Sequence, residues 1–175
     1  MASAFTIVSQ GLGSSAYTAS SSWYGAPPGL AFDGDFSTTW NAADYPVEWL
    51  EVNLGQPTDI VKLQLSVAQS PVGITTHQLW LSSSSIQGNT DYATLAHTFS
   101  GQTSDGQLLS IDLAVPVVAQ YIQIRTVESP SWVAWKEVQV MTADPVPEPS
   151  TILLFGTGIA GWAGTKLRRI RHWST

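Results

Sequence analysis

Apolar and polar residues alternate in short runs along most of this chain. Leu50, Val52 and Leu54 alternate with Glu51 and Asn53, and Val61, Leu63 and Leu65 alternate with Lys62 and Gln64. Leu79 and Leu81 flank Trp80; Leu109 to Leu113, Tyr121 to Arg125 and Val138 to Val140 repeat the pattern. A period of two is that of a strand with one face buried. Residues 9–30, rich in Ser, Gly, Ala and Pro, read as irregular structure leading into the first strands. No window before Ile152 carries a helical stripe of three turns, and no internal repeat is visible. Six or more short strands separated by Gly, Pro, Ser and Asn turns predict an antiparallel β-sandwich or barrel.

The pattern changes at the C-terminus. Between Glu148 and Lys166 lie seventeen uncharged residues, with Leu153, Leu154, Phe155 and Ile159 among them, and Lys166, Arg168, Arg169 and Arg171 follow. This is the short edge of the ~17–25 residues that cross a bilayer as a helix, and the cations predict a C-terminus held in the cytoplasm. A buried core helix with a basic end is the competing reading.

Charge divides the chain in the same place. Residues 1–145 hold twelve acidic and three basic side chains (Lys62, Arg125, Lys136), a balance of −9, whereas residues 146–175 carry +3. So acidic a domain argues against nucleic acid and anionic lipid as partners, since both are held mainly through Lys and Arg on phosphate. The absence of cysteine removes disulfides, thiolate catalysis and cysteine-ligated zinc. Eight tryptophans among plentiful Ser and Thr suit neutral, hydroxyl-rich ligands.

Val146-Pro147-Glu148-Pro149-Ser150-Thr151, the apolar run and the Arg-rich end closely resemble the PEP-CTERM sorting signal of Gram-negative bacteria. The resemblance implies export across the inner membrane, transient anchoring by segment 152–165 with tail 166–175 inside, and cleavage near Pro-Glu-Pro by an exosortase. It also implies release to the envelope or an exopolysaccharide matrix. Export calls for a leader, and Ala2-Ser3-Ala4 before Phe5 has the small-residue form of a signal peptidase site. Residues 1–8 are therefore read as the remnant of a leader or an ordinary start, 9–143 as one domain, and 144–151 as a linker.

Within the domain, Ala31-Phe32-Asp33-Gly34 leads through Thr38 to Trp40, followed by Trp49-Leu50-Glu51-Val52-Asn53-Leu54-Gly55. Tyr121 to Arg125 and Trp135 to Val140 complete four motifs in order. Together they look like a discoidin domain, also called the factor V/VIII type C domain. The resemblance implies an eight-stranded antiparallel jelly-roll sandwich of the galactose-binding-like fold, used for adhesion and in bacterial carbohydrate-binding modules. Asn53 stands where an aspartate is usual, and the terminal cysteine pair of animal members is missing.

An Asp-Gly-Asp loop with a nearby threonine offers the oxygens that Ca²⁺ prefers. The resemblance implies a structural Ca²⁺ held by the Phe32 carbonyl, Asp33, Asp35, Thr38 and Glu137, with a neighbouring carbonyl from Lys136. The alternative is that Asp33 and Asp35 cap turns and Gly34 takes a positive φ. Family binding sites lie in loops at one end of the sandwich, where aromatic rings stack on sugars. Candidates here are Trp23, Tyr24, Tyr45 and Trp132, each a binding platform or a lid on the core. Arg125 could fork to a sugar or bridge strands, and His77 could touch a ligand if its strand entry reaches that end. Trp40, Trp49 and Trp135 match core positions.

A glycosidase reading would pair Asp44 with Glu48, or Asp33 with Asp35. Each pair lies within one loop region rather than across a cleft. No serine near His77 or His97 carries a nucleophile motif. The sequence thus predicts an exported, non-catalytic module that binds glycan or exopolysaccharide and is processed by an exosortase. A matrix protein making protein contacts is the alternative.

Overall fold

A computed structural model describes residues 5–144. Eight strands run β1 (Phe5–Ile7), β2 (Tyr17–Ala19), β3 (Trp40–Asn41), β4 (Glu48–Val67), β5 (Gly73–Ser82), β6 (Thr94–Thr103), β7 (Leu108–Glu128) and β8 (Ala134–Ala143). All pairings are antiparallel, in the order β1-β8-β4-β7-β5-β6, with β2 also on β4 and β3 on β8.

Two long strands make this path a sandwich. The first part of β4 lies between β2 and Tyr121–Thr126 of β7, and its last part between β8 and Leu108–Asp112. Each of β4 and β7 therefore passes through both layers. Register shifts between Asn53/Thr58 and Ile60/Lys62 accompany the crossing, since an unpaired residue bends a strand and raises its twist. One consequence corrects the simple alternation: Ile60 is fully buried, whereas Val61 is only half-buried. Past the bulge, Leu63 and Leu65 regain the inner face.

The core holds Leu50, Val52, Leu63, Leu65, Leu79, Leu81, Ile122, Ile124, Val138 and Val140 from the predicted alternations. Trp40 and Trp135 lie opposite one another in the β3–β8 ladder, both fully buried, and the Trp40 indole donates to Ser22 Oγ at 3.0 Å. Segment 9–30 is more ordered than its composition suggests. Tyr17 stacks on Phe32 with ring centroids 4.8 Å apart, and its hydroxyl donates to the Ser9 carbonyl at 2.9 Å. Burial raises the Tyr17 pKa, the largest of its influences.

Glu51 breaks the expected alternation. It is 2 % exposed, because the loop after β5 folds over the outer face of the sheet. Its carboxylate accepts from the backbone N–H groups of Ile86 (2.9 Å) and Gln87 (3.0 Å), from Ser85 Oγ (2.7 Å) and from Gln123 Nε2 (3.1 Å). Trp49 belongs to this outer layer too, and that corrects its reading as a core residue: it is half-buried against Gly88. A Cβ at Gly88 would stand 2.8 Å from the Trp49 indole nitrogen, and φ there is +81°, so glycine alone fits.

Among the described residues no helix is long and apolar enough to cross a membrane. The predicted span 152–165, the Val146–Thr151 motif, the basic tail and the start Ala2-Ser3-Ala4 all lie outside the described residues.

Candidate functional site

Three loops meet at one end of the sandwich. Residues 41–45 follow β3, residues 68–71 join β4 to β5, and residues 130–134 join β7 to β8; with Asp105 from the β6–β7 turn they enclose a cavity of about 490 Å³. That volume is within the range of a small-ligand site. Tyr45 and Trp132 form its aromatic walls, Asn41, Thr39 and Ser131 bring polar groups, and Gln69 also lines it. Trp23 stands beside this opening, its ring centroid 5.5 Å from that of Trp132 and tilted by 36°.

These aromatics are held by backbone rather than buried by packing. The Trp23 N–H donates to the Asn41 carbonyl at 2.7 Å, and Ala26 N–H closes the turn onto the Trp23 carbonyl. Val133 pairs with Ala42 and Asp44 through two backbone hydrogen bonds, accepting the Ala42 N–H and donating to the Asp44 carbonyl, which ties the Trp132 loop to the Tyr45 loop. Trp23, Tyr45 and Trp132 remain 54 %, 57 % and 41 % exposed. Lids closing a core would be buried, so these rings face solvent. Tyr24, at 97 % exposure, projects from the same turn and does not line the cavity.

Charge in the pocket is balanced. Asp105 is its one charged lining residue, and Lys136 Nζ pairs with Asp105 Oδ2 at 2.7 Å. Asn41, Gln69, Asp105 and Pro130 had no distinguishing mark in the sequence beyond turn composition; topology alone brings them together. Gln69 is spent on architecture, since its carboxamide reaches the carbonyls of Pro71, Gly73 and Thr103 and accepts from Thr103 Oγ1.

Two predicted contacts fall elsewhere. Arg125 donates from Nη1 to the Gly88 carbonyl at 3.0 Å, so it bridges β7 to the loop after β5 and takes no part in the cavity. His77 is a correction: it is 6 % exposed inside the sandwich, with Nδ1 3.0 Å from Thr126 Oγ1 and its ring edge-on to Trp135. A strand alternates its faces, and the register of β5 points this side chain inward.

Burial lowers the His77 pKa to about 4, so the folded protein keeps it neutral while the unfolded chain protonates near 6.5. Stability from this residue is full above about pH 6.5 and is lost as pH falls toward 4, by up to about 3 kcal/mol. Glu137, whose pKa is raised, acts in the opposite sense. The stability difference between wild type and His77→Gln in urea should therefore shrink from pH 7 to pH 4. A pH-independent difference would refute the assignment.

The predicted cation loop adjoins the pocket through Thr38 and Thr39. Asp33 Oδ1 accepts the Asp35 N–H and Asp35 Oδ1 accepts the Ser37 N–H, each at 2.8 Å, and Gly34 has φ +83°. These are the turn caps of the alternative reading. Thr38 Oγ1 nevertheless lies within 2.8 Å of Asp33 Oδ2, 2.9 Å of the Asp35 carbonyl and 3.1 Å of the Leu30 carbonyl. One hydroxyl proton serves three acceptors, leaving surplus oxygen lone pairs around a small volume. Glu137 closes the loop from β8, accepting from Gln10 Nε2 (2.7 Å) and Gly34 N–H (3.1 Å). Burial raises its pKa, and the neighbouring Asp33 and Asp35 charges add to that. Among the described residues no three acidic or His side chains stand close enough to hold a metal unaided. A bound cation would need the neutral oxygens as well, which suits Ca²⁺. Phe32 and Lys136 could offer only carbonyls, because the Phe32 ring is buried on Tyr17 and the Lys136 ammonium is paired with Asp105.

The carboxylates of the glycosidase reading are engaged locally. Asp44 accepts the Tyr45 N–H, and Glu48 accepts from Ser20 and Ser21 hydroxyls.

The fold is an antiparallel sandwich with an aromatic pocket among its end loops, and the comparisons with known proteins give its family. Residues 15–138 match the F5/8 type C domain, so the chain belongs to that family. Residues 145–169 match the PEP-CTERM protein-sorting motif, which implies an exported, exosortase-processed protein of the cell surface. No curated protein matches the chain. Among solved structures, the family 32 carbohydrate-binding module of Clostridium perfringens NanJ in complex with galactose is 20 % identical with a TM-score of 0.63, covering 79 % of this chain and 100 % of its own. Chitosan-binding module 1 of the chitosanase/glucanase from Paenibacillus sp. IK-5 is 22 % identical with a TM-score of 0.62, covering 77 % and 98 %. The corresponding module of AlyQ in complex with 4,5-unsaturated mannuronic acid is 23 % identical with a TM-score of 0.58, covering 71 % and 92 %. At these identities the likeness establishes the fold.

Proposed function

We propose that this protein is a non-catalytic carbohydrate-binding module, exported and sorted to the envelope or exopolysaccharide matrix, whose sugar site is the pocket between Trp23, Tyr45 and Trp132. The observation that carries the reading is the exposed Trp23–Trp132 pair beside a cavity of balanced charge. Flat apolar rings stack on pyranose faces, while Asn41, Thr39 and Ser131 meet hydroxyls. The structural neighbours bound to galactose and to a mannuronate unit support the class and not the particular sugar. A glycan array with the full-length chain tests it. Retention of at least one neutral glycan, little changed between low and high salt, is the expected result. No retained glycan would favour the protein-contact matrix reading.

Ca²⁺ in the Asp33–Thr38 loop would brace the pocket, because Thr38 and Thr39 lead directly into it. Ca²⁺ binding to the folded state alone raises the melting temperature. Melting should rise with Ca²⁺ and fall with chelator, and Asp33→Ala should abolish the response. An unchanged melt after exhaustive chelation would remove Ca²⁺ from the account.

The tail would anchor the protein only until cleavage. Mature protein from cells with an exosortase should end near Pro147-Glu148-Pro149 by mass spectrometry, and deleting the protease should leave full-length protein in the membrane. Intact Trp173 on protein in wild-type medium would contradict this.

A further inference from the structure

The strongest unassigned feature lies away from the sugar pocket, on the outer face of the sheet. A groove of about 230 Å³ runs between the turn at Ser15, strand β2 and the loop after β5, floored by Glu51, Asn53 and Tyr121 and walled by Thr18 and Ser85. It is smaller than the roughly 300–1,000 Å³ of drug-sized sites, so it takes a single ring rather than a chain.

Glu51 sets its chemistry. The carboxylate is 2 % exposed, and its four hydrogen-bond donors are all neutral: Ile86 N–H, Gln87 N–H, the Gln123 carboxamide and the Ser85 hydroxyl. The ion pairs among the described residues are Lys62–Asp112 and Lys136–Asp105, so no cation of the described residues stands in ion-pair contact with it. Oε2 accepts three of those bonds and Oε1 only one, from Ser85, which leaves Oε1 the capacity for another donor. A buried carboxylate without a direct ion-pair partner favours an incoming positive donor over a neutral one. Around it lie the hydroxyls of Thr18, Ser85 and Tyr121 and the carboxamide of Asn53; Asn53 already donates to Tyr121 and Ser85 to Glu51, so what Ser85 holds out to a polyol is chiefly acceptor lone pairs.

We infer that this groove is a second saccharide site, selective for a sugar unit bearing a free primary ammonium group, which Glu51 receives. It makes the module bivalent, with a charge-neutral pocket at the end of the sandwich and a cation-selective groove on its side. A module with two sites can cross-link two chains of a polysaccharide.

The test is a titration of the ¹⁵N-labelled full-length chain with glucosamine and, separately, N-acetylglucosamine. Glucosamine should shift the amides of Thr18, Asn53, Ser85 and Tyr121, and the acetylated sugar should bind there about tenfold more weakly, as expected for loss of a charge-assisted bond. Ser15→Trp, at an exposed position on the rim, should abolish these shifts without changing the melt. Glu51→Gln should remove the preference for the charged sugar. Trp132→Ala should leave the groove shifts intact, which separates this site from the pocket. Shifts confined to Asn41 and Ser131, equal binding of the two sugars in the groove, or groove shifts that persist in Ser15→Trp would overturn the proposal.

Discussion

Trp40→Ala is expected to destabilise the protein by about 3–5 kcal/mol, the range for truncating a fully buried large aromatic. The side chain has no exposed surface, and its indole nitrogen satisfies Ser22 Oγ and the Ser21 carbonyl. Removing it opens a cavity beside Trp135, its partner across the β3–β8 ladder. Strand β3 is two residues long and has little else to hold it, so the pocket loops at 22–26 and 41–45 should loosen with it. Trp49→Ala is the control. That residue is half-buried on the outer face against Gly88, and its loss should cost clearly less. Urea denaturation of both variants decides the matter, and equal losses would show that the outer layer is as integral as the core.

Trp132→Ala should weaken glycan binding by roughly tenfold or more while shifting the melting midpoint little, because aromatic anchors dominate contact energy when they line a site. Trp132 is 41 % exposed and its loop is held by backbone bonds from Val133, which the substitution leaves in place. Trp23→Ala should act in the same direction, since the two rings stand 5.5 Å apart and flank one opening. Isothermal titration against a glycan retained by the wild type gives the affinity, and a thermal melt gives the stability. Destabilisation by either variant comparable to that of Trp40→Ala would make these rings part of the core and remove the sugar platform.

Alternation in the sequence was enough to place most of the core. Leu50, Val52, Leu79, Leu81, Ile122, Ile124, Val138 and Val140 are buried where a period of two puts them, because a half-buried strand leaves no other face for them. The motifs from Ala31 to Trp40 and from Trp135 to Val140 likewise marked the family, which the match over residues 15–138 shows. What escaped is long-range. Strand β6, Thr94–Thr103, carries no apolar alternation because it is an edge strand with largely exposed side chains. The bulge at Val61 and the passage of β4 and β7 through both layers depend on partners more than forty residues away.

The functional residues divide in the same way. Sequence alone picked out Trp23, Tyr45 and Trp132 as aromatics in loops of low charge, since nothing local required them to be buried. Only the tertiary structure decided that these loops share one end, that Arg125 serves the Gly88 carbonyl and that His77 points inward. Glu51 is the clearest instance. In the sequence it is an ordinary polar position of an alternating strand, and a loop more than thirty residues later turns it into a buried anion by supplying the N–H groups of Ile86 and Gln87. Local pattern fixes which face a side chain takes; whether that face meets water is set by whatever the rest of the chain folds over it.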